Sequence, residues 1–234
     1  MAETVVPLGH EPPGQEPPPE VTHLRHHFAT QEQQMDAATL GMWTFLVTEV
    51  LFFGGMFAGY AVYRAMYPAA FASTSRYMDL WLGGTNTAVL IVSSLTMALA
   101  VRAAQLSKRR DLILFLILTM IFGCIFLFIK WIEWHNKWVE QKVPGLNFRY
   151  DEAPQFLHHA QILFFLYFAM TGMHALHMII GVGLLSFLLI QAIRRVFHAS
   201  YFAPVEMIGL YWHFVDIVWI FLFPLLYLIG QSRK

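Results

Sequence analysis

Residues 40–63 read LGMWTFLVTEVLFFGGMFAGYAVY, and this stretch decides the class of fold. It is long enough to cross a bilayer as a helix, because about 20 residues rising about 1.5 Å each span the roughly 30 Å of hydrocarbon. It lacks the strict alternation of a barrel strand and is too long for one. Its one charged side chain is Glu49. Further segments of the same kind follow at about 81–103, 112–132, 162–190 and 207–229. The expectation is an all-α integral membrane bundle of five transmembrane helices, residues 39–234, with its two ends on opposite sides.

Composition agrees. Of 234 residues, 57% are hydrophobic and 13% charged, about half the share of charge on an average globular chain. Fifteen basic and fifteen acidic residues cancel, so no strong field exists to hold nucleic acid. One cysteine, Cys124, excludes an internal disulfide framework. Residues 1–38 hold six of the eleven prolines, interspersed with Glu3, Glu11, Glu16 and Glu20. They read as a flexible arm without the basic start and apolar core of a signal peptide. Lys108-Arg109-Arg110 and Arg194-Arg195 fall in short connections on the side of the N-terminus. Positive charge in short loops stays inside, so the N-terminus is expected in the cytoplasm. Trp131, Trp134 and Trp138 then read as part of the outer aromatic belt, while Glu133, His135, Lys137, Glu140 and Lys142 read as a solvated surface beyond the third segment.

A few polar side chains inside the apolar segments carry the functional information. Glu49, Asn86, His174, His177, His213 and Asp216 are such residues. Counted at about 1.5 Å per residue, Glu49 and Asp216 each lie roughly 14 Å from one face, and His174 roughly 18 Å from the other. His174 and His177 are three apart, as are His213 and Asp216, so each pair shares a helix face. One polar layer near the midplane follows, open to three readings: an interhelical hydrogen-bond network, a proton relay, or a metal site. The last would make the chain a stand-alone membrane metalloenzyme, although the second Glu-x-x-His of di-iron bundles is missing. Gly54, Gly55, Gly59, Gly172, Gly181 and Gly183 are candidates for close helix approach. No phosphate-binding loop, dinucleotide fingerprint, nucleophile elbow or haem-attachment motif occurs.

The polar residues sit in strings that resemble subunit III of the haem-copper cytochrome c oxidases. These are GMWTFLVTEVLFF (41–53), NTAVL (86–90), TGMHALH (171–177) and YWHFVDIVW (211–219), in order and covering nearly everything after residue 40. The resemblance implies an accessory subunit that carries no haem, copper or other metal itself. Haem and copper belong to partner subunits, and the chain packs beside catalytic subunit I, in a complex with subunit II and other oxidase subunits. It implies a multi-pass protein of a respiratory, proton-pumping complex that reduces oxygen to water. Glu49 falls at a buried membrane carboxyl of the family, and the subunit supports proton uptake and the durability of the catalytic centre. Bound phospholipid is another family property, for which Arg194, Arg195 and His198 are candidate partners of a lipid phosphate. Many members have seven spans. The five here, with the proline-rich arm in place of the leading pair, favour a bacterial enzyme of the cytoplasmic membrane. The corresponding subunit of a quinol oxidase is the alternative; the context of Glu49, Glu133 and Glu206 resembles the cytochrome c branch more.

Overall fold

The computed structural model describes residues 28, 30–145, 148–150, 154–197 and 201–228. Five helices are long and apolar enough to cross a membrane: α1 (Gln31–Met66), α3 (Leu80–Gln105), α4 (Arg109–Val139), α5 (Leu157–Ile193) and α6 (Ala203–Phe223). A short helix, α2 (Pro68–Thr74), links the first two. The all-α expectation therefore holds, and residues 1–27 of the proposed arm lie outside the described residues.

The helices overrun the apolar segments, for local reasons. Thr30 caps α1 by accepting from Gln33 N at 3.1 Å, and Glu32 in the first turn complements the helix dipole. The helix thus begins nine residues ahead of Leu40 and, at 36 residues, is about 54 Å long. Asp79 caps α3, its Oδ1 accepting from Trp81 N and Leu82 N at 3.0 and 3.1 Å. The far ends of α3, α4 and α5 share one device. Ser107, Gln141 and Arg195 each adopt a left-handed backbone (φ 55°, 56° and 61°). The residue following each of them donates its N–H back across the last turn, to Ala103 O, Lys137 O and Gln191 O.

The core is a four-helix unit. α3 and α4 form a hairpin, α6 lies against α3 and α5, and α4 against α5, while α1 touches only α5, α6 and α2 to any extent. Among the described side chains of α1 three are buried, Leu46, Phe53 and Tyr60, spaced seven apart on one narrow stripe. The rest of its apolar surface, including Trp43, Val50 and Leu51, faces outward. Several hydroxyls in the spans are satisfied inside their own helix: Thr44, Thr87, Thr119, Thr171 and Ser186 each donate to the carbonyl four residues back.

Trp212 of α6 fills the centre. A Cβ placed on Gly123 of α4 would stand 2.8 Å from its ring, and one on Gly181 of α5 would too, so both helices need glycine there. Its indole Nε1 donates to Ser93 Oγ at 3.1 Å. Gly181 thus does what the sequence suggested. Gly54, Gly55, Gly59 and Gly183 do not, because a Cβ on any of them would meet nothing within 4 Å among the described residues. The tight approaches fall instead at Gly83, Gly123 and Gly209.

Candidate functional site: two buried polar centres

Six residues were expected in one mid-membrane layer, and the fold distributes them. Glu49 of α1 meets His177 of α5, with Oε2 and Nε2 3.0 Å apart. The other ring nitrogen, Nδ1, lies 2.8 Å from Met173 O. A carbonyl oxygen only accepts, so Nδ1 carries hydrogen and donates. The remaining proton of this pair then sits between Nε2 and Oε2, either as carboxyl O–H donating to a neutral ring or as imidazolium N–H donating to a carboxylate. Phe53 packs edge-on against the ring at 5.2 Å, and the Tyr211 hydroxyl donates to the backbone carbonyl of His177 at 2.9 Å. Glu49 is only partly covered, so this pair opens toward the outer surface of the bundle.

The other four residues stand apart from that pair. His174 is buried one turn away, wedged between Phe126 and Trp219 at 5.3 and 5.2 Å, with neither nitrogen hydrogen-bonded among the described residues. His213 pairs Nδ1 with Ser94 Oγ at 2.7 Å. Asp216 shares the α3–α6 groove with His213, and Asn86 is buried in α3; neither side chain has a hydrogen-bond partner among the described residues. Among the described residues no three His, Cys, Asp or Glu side chains form a metal-binding group. Arg194 and Arg195 are exposed at the end of α5, and His198 lies outside the described residues.

A second centre lies where the sequence suggested solvent. Glu133 and Lys137 are buried, not solvated, and so are Lys130 and Lys142; only His135 and Glu140 of that stretch are exposed as expected. Lys130 Nζ spends its three donors on Glu133 Oε2 (2.9 Å), Tyr227 OH (2.7 Å) and Tyr167 OH (3.2 Å). Both phenols donate in turn to Glu133 Oε1, at 2.8 Å from Tyr167 and 2.7 Å from Tyr227. The ammonium also lies over the Trp219 ring, 4.8 Å from its centroid. The geometry depends on a break in α6. Pro224 cannot donate its backbone nitrogen, residues Pro224–Leu228 form a π-helical turn, and Leu225 O accepts from Tyr60 OH at 2.6 Å. That turn carries Tyr227 to Lys130.

The two centres differ in what they can do. The Lys130 cluster uses all of its donors within itself and ties α4, α5 and the end of α6 together. The Glu49–His177 pair holds one shareable proton and stays partly accessible. The signal for the missed cluster was in the sequence: Lys130 lies inside an apolar segment, and Lys130, Glu133 and Lys137, three and four apart, share a helix face.

Comparison with known proteins agrees with the architecture. The family described as "Cytochrome c oxidase subunit III" matches residues 20–231. The chain is 29% identical over 203 residues to the "Probable quinol oxidase subunit 3" of Staphylococcus haemolyticus, covering 86% of this chain and 92% of that one. It is 31% identical over 198 residues to the "Cytochrome c oxidase subunit 3" of Thermostichus vulcanus, covering 84% and 89%. It is 32% identical over 205 residues to the protein of that name from Gadus morhua, covering 82% and 69%. With an all-helical bundle of five apolar spans and a family match over most of its length, the chain belongs to the cytochrome c oxidase subunit III family.

Proposed function

We propose that the chain is the non-redox accessory subunit of a proton-pumping cytochrome c oxidase in a bacterial cytoplasmic membrane, with its N-terminus inside. It stabilises subunit I and supports proton uptake, while haem and copper reside in the partner subunits. The family match over residues 20–231 carries the reading. The Glu49–His177 pair supports the proton role, because it places one exchangeable proton at the rim of the bundle rather than in its core. Arg194 and Arg195, exposed at the end of α5, and His198 next to them in sequence suit a phospholipid headgroup.

A tagged chain purified in mild detergent is expected to bring down a haem-containing subunit whose preparation oxidises reduced cytochrome c. Recovery of the chain without any haem protein would overturn the assignment. Oxidation of a quinol but not of cytochrome c would select the second reading, a quinol oxidase subunit, which rests on the likeness to the Staphylococcus haemolyticus protein. Stoichiometric iron or zinc in the chain freed of its partners would instead support the stand-alone metalloenzyme.

A further inference from the structure

The groove between α3 and α6 carries a polar group that the accessory role leaves unexplained. It encloses about 370 Å³ and opens to the outside of the bundle between walls that include Leu90, Leu95 and Ile220. Its lining also holds Ser94, His213 and Asp216. Asp216 is 3% exposed, and neither of its carboxyl oxygens has a partner within hydrogen-bond distance among the described residues. The Ser94 hydroxyl interacts with it at longer range while standing 2.7 Å from His213 Nδ1. Ser94 and Ala98, four apart on α3, both line the groove and leave it shallow enough for a second backbone to come close.

Each candidate occupant can be weighed by its chemistry. Asp216 stands 13 residues into α6, about 20 Å from its start, so the site is near the middle of the span. An acyl chain would fill the groove but can neither donate nor accept a hydrogen bond, and an unpaired carboxyl in hydrocarbon costs several kcal/mol. A lipid headgroup does not reach this depth. A transmembrane helix meets every requirement: apolar side chains against Leu95 and Ile220, close approach at Ser94 and Ala98, and a polar side chain brought to Asp216.

The geometry points to the α3–α6 groove as the docking face for a transmembrane helix of the oxidase's haem-bearing subunit, with Asp216 hydrogen-bonded to a polar side chain of that helix. This rests on the accessory-subunit reading above and adds which face does the docking. The opposite flank, where Ile121, Cys124 and Phe128 line a wholly apolar groove against α5, offers no such polar group and faces lipid.

Site-specific photocrosslinking in the native complex tests it. A benzophenone amino acid replaces Leu95, which is 60% exposed, or, as a control, Phe128, which is 61% exposed on the other flank. Expected is a covalent adduct of the chain with the haem-bearing subunit from position 95 and none from position 128. Co-purification of the haem protein with an adduct from 128 alone, or from neither position, overturns the docking face while leaving the accessory role intact. Absence of any haem protein from the preparation overturns both. In parallel, Asp216→Leu is expected to raise loss of the chain from the complex during detergent washing by roughly three- to tenfold, with Asp216→Asn close to wild type. Equal retention of Leu and wild type would show that no partner group bonds to Asp216, as would equal loss in Leu and Asn variants that both keep their helicity.

Discussion

Replacing Lys130 by Met tests whether the buried cluster holds the opposite end of the bundle together. Lys130 and Glu133 are 2% and 1% exposed, and five hydrogen bonds join them with Tyr167 and Tyr227. At about 0.6 kcal/mol for an interhelical hydrogen bond in a membrane, the five together contribute roughly 3 kcal/mol. Lys130→Met removes three of them, about 2 kcal/mol by the same measure, and also leaves a buried carboxylate without its cation. Breaking one side of a buried ion pair costs about 3–5 kcal/mol, so the expected loss lies in the upper half of a 2–5 kcal/mol range. Glu133→Met strands the ammonium and is expected to cost as much. The double variant Lys130→Met/Glu133→Met removes both charges, and the two phenols, already neighbours at 6.4 Å between ring centroids, can bond to each other. Its expected cost is below that of either single change, giving a coupling energy of at least about 2 kcal/mol. Reversible unfolding of the purified chain in mixed detergent and dodecyl sulfate micelles, on all four proteins, measures the cycle. A loss under about 1 kcal/mol for Lys130→Met, or simple additivity of the two single changes, refutes the reasoning.

Glu49→Gln keeps a donor for His177 Nε2, so assembly with the haem-bearing subunit is expected to stay near wild type while the rate of proton uptake falls; equal, severe loss of assembly from Gln and Ala would instead indicate that a charge is essential at this position. Gly123→Ala drives a methyl group to 2.8 Å from a Trp212 ring that Gly181 blocks on the other helix, and overpacking of this kind costs about 1–3 kcal/mol. Gly54→Ala, with open space at its Cβ, is expected to be neutral or up to about 1 kcal/mol stabilising in the same unfolding assay, and equal effects of the two would contradict the packing described. Deleting residues 1–27 leaves Thr30 and its cap on α1 in place, so the bundle is expected to insert and fold, with circular dichroism in detergent as the check; failure to insert would count against the flexible-arm reading.

What the sequence disclosed follows from how membranes restrict choice. A run such as 40–63 can only be a helix across the bilayer, so element number and type were legible. Helix ends were less so. α3, α4 and α5 close on Ser107, Gln141 and Arg195 in a left-handed conformation for which glycine is the usual marker, and no glycine stands there. Packing was legible only where two helices meet. Gly55 and Gly59 look like an association motif on paper, yet α1 turns the stripe of Leu46, Phe53 and Tyr60 inward instead. Spacing placed Glu49, Asp216 and His174 near one depth, with His177 on the same face as His174, but could not say which of six residues would touch, because that depends on the order of helices around the bundle. The Lys130 cluster was missed for a different reason. Charges near an interface are usually solvated, and the proline-induced turn that brings Tyr227 over them lies 94 residues beyond Glu133.

The loose seating of α1 has a consequence for how the protein is made. Of the described helices α1 is made before the two it rests on, α5 and α6, and Glu49 waits for a His177 that is 128 residues downstream. At about 5–20 residues per second, that interval is roughly 6–25 seconds. Throughout it, Glu49 lacks the partner it has among the described residues of the folded chain, and before it ends α3 and α4 are complete and able to close as a hairpin. The nascent protein thus passes through a stage in which α1 is the least settled of the described spans, and a membrane insertase that shelters polar groups would act on it before α3 to α6.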